Sequence, residues 1–400
     1  MSFFNGPQVL RESGAVMCRP GGGFYDERTP LDVFSKCWNV HAQVQSYPAY
    51  ITDIQYEYEA FNYQTLDKSI HMTELETTLA LMSGCNGVLY NNDIFYDRQP
   101  LLDMLATCGK KWDALTERNK KLKPAGVLAV GAGDLSLNQI GIPIIYNLND
   151  AVACFIQGDS WNRYDNETVE AILKKGAFTD GRGLEILVER GFGSACGGKV
   201  KKAYASGMAE RFADQPLCGK YKDHYRDAFM NFTYYHNNTG YAYELEPASD
   251  AQVVSNLETI THESLGCSLY VYENACGTRF AADGYFFPNS IRTHGKKEQL
   301  GNVLDWVSKE RLPVRVENET IKVMPTVQAD SEGNMTVMLT NASLDSTGNF
   351  TCELRSDKEV YAICNDGTLK LMPQEKRGNA TVVTIDNLDR WDYILLTNMK

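Results

Sequence analysis

No run in this sequence approaches the roughly 20 consecutive apolar residues of a membrane span, so no transmembrane helix is expected. Nor is there a Cys-x-x-Cys pair. The 11 cysteines are odd in number and irregularly spaced, which argues against a disulfide framework and for a reducing, cytoplasmic setting. Met1 to Gly6 carry no basic segment ahead of an apolar run, so no secretory signal is expected. The Asn-x-Ser/Thr triplets at Asn231, Asn349 and Asn379 then read as chance matches. Positive charge is in deficit: the net charge is −12, which argues against the phosphate attraction that nucleic-acid binders depend on. The densest basic group, Lys110 to Lys123, sits at the end of a predicted helix, where cations complement the dipole.

Cofactor and metal signatures are missing as well. Gly21-Gly22-Gly23 is followed by neither Gly-x-Gly-x-x-Gly nor Gly-Lys-Ser/Thr, and reads as a loop rather than a phosphate cradle. His262-Glu263 lacks the second histidine four residues on that a zinc-protease helix requires. The six histidines include no His-x-Glu or His-x-Asp pair, so Cys196 in Ser194-Ala195-Cys196-Gly197-Gly198 has no evident base to make it a nucleophile. It reads as a small residue packed near a helix end. No metal and no organic cofactor are expected.

What is present is a mixed pattern over 400 residues, enough for two or three domains. Residues 1–123 alternate helix and strand: helix at 30–45, with Leu31, Phe34, Trp38 and Val40 on one side, strand at 49–59, helix at 73–83, strand at 87–90. The steps of four and three through Leu101, Leu105, Cys108, Trp112 and Leu115 then mark an amphipathic helix. Such alternation implies parallel β/α packing. Residues 124–312 form a second α/β region. Its strands fall at 142–146 and 152–156, one helix is capped by Asp165 and ended by Gly176, and another spans 184–190 before Gly191. An aromatic, irregular insertion is expected at about 205–250. From Pro313 to the end, short alternating runs separated by Gly, Asn and Asp read as a β-sandwich.

The segment Asp53-Ile54-Gln55-Tyr56-Glu57-Tyr58-Glu59-Ala60 carries the chemistry. Side chains alternate across a strand, so Gln55, Glu57 and Glu59 share one face and Ile54, Tyr56 and Tyr58 the other. In a β/α barrel the aromatic set suits the helix side and the acidic set the interior. Two carboxylates are tolerable there only at the C-terminal mouth, where barrel enzymes place their chemistry. A Glu-x-Glu pattern is a weak motif, and taken alone it favours an exposed edge strand with solvated glutamates.

Glu57-Tyr58-Glu59-Ala60-Phe61-Asn62-Tyr63, then Lys68-Ser69, then Gly84-Cys85-Asn86-Gly87-Val88-Leu89-Tyr90-Asn91, resembles barrel strands seven and eight of β-galactosidases of glycoside hydrolase family 42 and its clan. Arg19-Pro20-Gly21-Gly22-Gly23-Phe24-Tyr25 resembles a loop after strand six. Gly158-Asp159, Leu173 to Gly176, Asp180-Gly181 and Glu189-Arg190-Gly191-Phe192-Gly193 resemble the flavodoxin-like domain that follows the barrel and makes trimer contacts in that family. The resemblance implies a partial (β/α) TIM barrel at 1–123, a flavodoxin-like α/β domain at 124–312 and a C-terminal β-sandwich at 313–400. It implies a carbohydrate substrate, a retaining mechanism with Glu57 as nucleophile and Glu59 as the alternative, and substrate contacts from Gln55, Tyr63, Asn91 and Asn92.

A whole barrel needs on the order of 250 residues. On this mapping the chain begins near strand six, while the clan's general acid/base glutamate ends strand four. Without a proton donor the leaving oxygen departs poorly. The expectation is a chain with little hydrolase activity alone, partnered by its own copies (a trimer) or by a separate N-terminal barrel chain. A non-catalytic oligomerisation or carbohydrate-binding relative is the alternative.

Overall fold

A computed structural model describes all residues except 1–5, 61–67, 93–98, 132–133, 205–207, 224–225, 230–241, 260, 285–293 and 318–321; side chains at 6–8, 91–92, 134–136 and 226–229 are also outside the description. The chain divides into two compact units. One holds residues 1–125, 145–150 and 313–400, the other 126–144 and 151–312.

In the first unit, β1 (Met17–Cys18), β2 (Asp53–Ala60) and β3 (Gly87–Asn92) form a parallel sheet with β2 in the centre. Helix α1 (Asp32–Ser46) joins β1 to β2, α2 (Ile70–Met82) joins β2 to β3, and α3 (Gln99–Asn119) follows. The expected alternation is present with shifted ends. The buried face of α1 is Val33, Phe34, Lys36, Cys37, Val40 and His41. Leu31 and Trp38, assigned to that face from sequence, lie at its half-exposed margin. Ser69 caps α2 by accepting the Met72 N–H at 3.2 Å. Buried residues run almost unbroken from Met72 to Met82, as they do in a helix covered on all sides.

Two antiparallel sheets built mainly from residues 314–397 share one apolar core that includes Val314, Val337, Leu339, Cys352, Leu354, Val383 and Leu396. They brace α2 and α3. Tyr393 donates to Glu74 at 2.7 Å, Lys111 reaches the same carboxylate at 2.6 Å, and Gln328 donates to the Met82 carbonyl at 2.7 Å. The sheet that carries the acidic strand is thus backed by helices that are themselves held from behind.

In the second unit, β4 (Val127–Val130), β5 (Ala153–Ile156), β6 (Ala177–Asp180) and β7 (Arg279–Asp283) lie side by side and parallel. The Pro143 carbonyl accepts from Val127 N–H on the other side of β4. Helix α4 (Asn166–Lys175) starts at the Asp165 cap and stops at Gly176, as its sequence signals predict. Helix α5 (Gly181–Glu189) starts one turn earlier than the apolar pattern suggested, because Asp180 caps it by accepting Gly183 N–H. Beyond β7 the sheet continues in antiparallel strands, including Ser264–Glu273, Gln252–Thr259 and Met208–Phe212.

The described parts of 205–250, read as irregular from sequence, include the strands Met208–Phe212, Arg226–Phe229 and Ala242–Pro247 and a short 3-10 helix at Pro216–Tyr221. Their alternation is hard to read because solvent-side lysines of Gly198–Tyr204 pair with glutamates of Ala242–Pro247. Lys201 meets Glu244 at 2.6 Å and Lys199 meets Glu246 at 3.5 Å. Helix α6 (His294–Val307) sends Lys296 into a fully buried cluster with Asp283 at 2.5 Å and Glu210 at 2.9 Å.

Candidate active site on the central parallel strand

Tyr56 and Tyr58 point from β2 into the helix layer. Tyr56 donates to Glu76 of α2 at 2.6 Å and Tyr58 shares a hydrogen bond with Thr73 at 2.9 Å. Gln55 and Glu57 stand on the opposite face. In the parallel register Asp53 is beside Met17, Gln55 beside Gly87 and Glu57 beside Leu89. Among the described residues this face is only partly covered: Met17 is 47% and Leu89 42% exposed, and Asp53, Gln55 and Glu57 are half-buried. Met17 and Leu89 lie on the two strands that flank β2.

The two glutamates are treated differently. Glu57 is held from the loop after β1. Its carboxylate meets Arg19 at 2.7 Å, and its N–H donates to the Pro20 carbonyl at 3.0 Å. Gly21 lies against it so closely that a Cβ there would sit 2.6 Å from Oε2. Gln43 of α1 donates to the Gly21 carbonyl at 2.8 Å and pins the loop. The glycines read as a free loop from sequence are here a fitted cover over an acid.

Glu59 is buried and belongs to a charge-balanced cluster. Lys36 of α1 donates to Glu59 at 2.9 Å and to the Glu57 carbonyl at 2.8 Å, and lies 3.4 Å from Glu76. Lys68 contacts Glu76 at 2.5 Å and the Phe24 carbonyl at 3.1 Å, with the Tyr58 ring 4.0 Å below its ammonium. Burial pulls the Lys68 pKa down, against the opposing pull of Glu76. Two lysines and two glutamates, all nearly inaccessible, thus fix the end of β2. A buried lysine inside an apolar helix stripe was the sequence signal for this cluster: Lys36 lies between Val33, Cys37 and Val40.

Of the residues expected to contact substrate, Gln55 shares the Glu57 face and lies across Gly87. Asn91 and Asn92 end β3, with only their backbone described, and Tyr63 lies outside the described residues. So do His224, His236, Tyr234, Tyr235 and Tyr241. Cys196 is buried at the end of a one-turn helix, and burial raises its thiol pKa. An inert structural cysteine has that environment. All eleven cysteines are free. Among the described residues no group of three His, Cys, Asp or Glu side chains could hold a metal ion, and no helix is long and apolar enough to cross a membrane.

No family model matches the sequence, and no curated protein matches it. Solved structures do match. The α-L-fucosidase isoenzyme 2 from Paenibacillus thiaminolyticus is similar over 98% of this chain, with a TM-score of 0.63 and 13% sequence identity. The fold of this chain is thus similar to that of the matched part of the fucosidase. The match takes in 66% of the fucosidase chain, so this chain spans just under two thirds of it. A rhamnosidase from Novosphingobium sp. PP1Y is similar over 87% of this chain and 31% of its own, at a TM-score of 0.46 and 9% identity.

Proposed function

We propose that this chain is the C-terminal part of a retaining, β-galactosidase-like glycoside hydrolase, working on a carbohydrate together with barrel strands that it does not itself contribute. Glu57 is the nucleophile in this reading. The observation that carries it is the placement of Glu57: on the open face of the central parallel strand, toward its C-terminal end, half-exposed, with Gly21 clearing space around it and Arg19 pairing with it. A carboxylate oxygen is the atom that attacks an anomeric carbon in a retaining mechanism. Glu59 is the weaker candidate because it is buried against Lys36, whereas Glu57 is half-exposed. Gln55, on the same face, is placed to position a sugar hydroxyl.

The missing portion would cover Met17 and Leu89 and bring the general acid/base. That portion is either a separate N-terminal chain or an upstream segment. The parallel run β7, β6, β5, β4 with the Pro143 segment outside it supports reading the second unit as flavodoxin-like; trimer assembly through it is part of the proposal. The free thiols fit a reducing compartment.

The test is covalent trapping. The chain is mixed with a polypeptide supplying the first barrel strands, treated with 2-deoxy-2-fluoro glycosides carrying a good leaving group, digested and weighed by mass spectrometry. An adduct on the peptide containing Glu57, absent from Glu57→Gln, is expected. Turnover of aryl glycosides by the mixture with label on neither Glu57 nor Glu59 would remove both from the nucleophile's role.

A further inference from the structure

The carboxyl ends of β5 and β6 carry buried polar groups with no hydrogen-bond partner among the described residues. Gln157 follows β5 directly and is 2% exposed, yet neither its Nε2 nor its Oε1 has a hydrogen-bond partner. Asp180, the last residue of β6, is 1% exposed. Its Oδ1 accepts from Gly158 N–H at 2.9 Å and Gly183 N–H at 2.8 Å, while its Oδ2 has no partner. Leaving a buried amide or carboxylate oxygen unmade costs roughly 1–3 kcal/mol per group. Native folds keep few such groups, and those they keep call for an explanation.

Their location supplies one. In an open parallel sheet, ligands bind outside the carboxyl ends of the strands where the strand order reverses. Here the chain leaves β4 toward the Pro143 side and returns to β5 on the other, so β4 and β5 flank that reversal. Gln157 sits there, its N–H donating to the Val130 carbonyl at the end of β4. Gly131, after β4, has φ +127°. A Cβ at that position would lie 3.0 Å from Gln157 Cβ, 3.3 Å from its Oε1 and 3.5 Å from Ser160 Oγ. The bare backbone keeps the space beside the carboxamide open. On the outer side a Cβ at Gly158 would lie 3.8 Å from both Arg182 Cγ and Asp180 Oδ2, and the Arg182 guanidinium pairs with Asp159 at 3.2 Å.

We propose that this crevice binds a neutral polyhydroxylated molecule, a monosaccharide, through Gln157 and the open oxygen of Asp180. The unmet groups are one amide donor, one amide acceptor and one carboxylate acceptor. A metal cation would satisfy the oxygens and leave the Gln157 Nε2–H groups pointing at positive charge. A phosphate would meet the Asp180 carboxylate, and the N–H groups it would want at the start of α5 are already taken by Oδ1. Adjacent hydroxyls serve all three, since each can donate and accept. The site is separate from Glu57 and does not depend on its role.

The experiment titrates D-galactose, D-glucose and L-fucose into the full chain, read by saturation-transfer NMR and calorimetry, with Glu57→Gln, Gln157→Leu and Asp180→Asn alongside. Saturable millimolar binding is expected in the parent and in Glu57→Gln. It should weaken about tenfold or more in Gln157→Leu and Asp180→Asn. Gln157→Leu removes unmet polar atoms from the interior, so its ligand-free unfolding temperature should equal or exceed the parent's. Asp180→Asn keeps an oxygen to cap α5, so it decides the matter even if Gln157→Leu folds poorly. No sugar binding by the parent, or undiminished affinity in the folded variants, overturns the proposal and leaves the crevice to buried water.

Discussion

Lys36 places one ammonium against three acceptors, the Glu57 carbonyl, Glu59 and Glu76, with no access to water. Its removal would strand two buried carboxylates with only Lys68 to answer them. Breaking such a buried cluster from one side costs about 3–5 kcal/mol. Lys36→Met should therefore lower the urea midpoint strongly, and adding Glu59→Gln should recover part of the loss. A midpoint unchanged by Lys36→Met would show that the cluster does not support β2. Asp180 offers a pH-dependent counterpart. Burial, against the pull of the Gly183 and Gly158 N–H groups, pushes its pKa up from 3.8 to about 6. The folded state thus holds this proton more tightly than the unfolded chain. The contribution to stability is fully present below about pH 4 and is lost as pH rises through about 6. Two units correspond to on the order of 3 kcal/mol. The stability gap between the parent and Asp180→Asn should shift by that order in the parent's favour between pH 7 and pH 4. A gap that does not move with pH would mean Asp180 titrates normally.

Elements, not single residues, hold Glu57. The loop after β1 approaches from one side through Arg19, Pro20 and Gly21, and α1 fixes that loop through Gln43. Gly21→Ala would push a methyl group into the Glu57 carboxylate, whose far end can swing away. Stability should change by about 1 kcal/mol or less, while labelling of Glu57 by a fluoro-glycoside in the reconstituted enzyme should fall sharply. Unchanged labelling would mean that the loop does not set the carboxylate's position.

For the whole molecule, the partly covered face of the three-stranded sheet predicts association. Exposed aliphatic side chains favour burial against a partner, and Met17 and Leu89 stand exposed on this mixed polar and apolar face. Sedimentation velocity on the isolated chain should show concentration-dependent self-association, reduced by a Leu89→Asn, Met17→Gln pair. A monomer across the accessible concentration range would count against the face being a missing partner's seat.

By itself the sequence determined the local order. Alternation placed Tyr56 and Tyr58 on one side of β2 and Gln55 and Glu57 on the other, and capping residues set the ends of α4, because those signals act within a few residues. The antiparallel strands within 205–250 escaped notice because their charges are answered across strands rather than along them. What distinguishes Glu57 from Glu59 was equally out of reach. The difference comes from Arg19 on one loop and Lys36 on one helix, 38 and 23 positions away along the chain, and only folding brings them to the two carboxylates. The unmet atoms of Gln157 and Asp180 are likewise a property of three strand ends meeting, since whether a buried polar group finds a partner is decided by what packs around it.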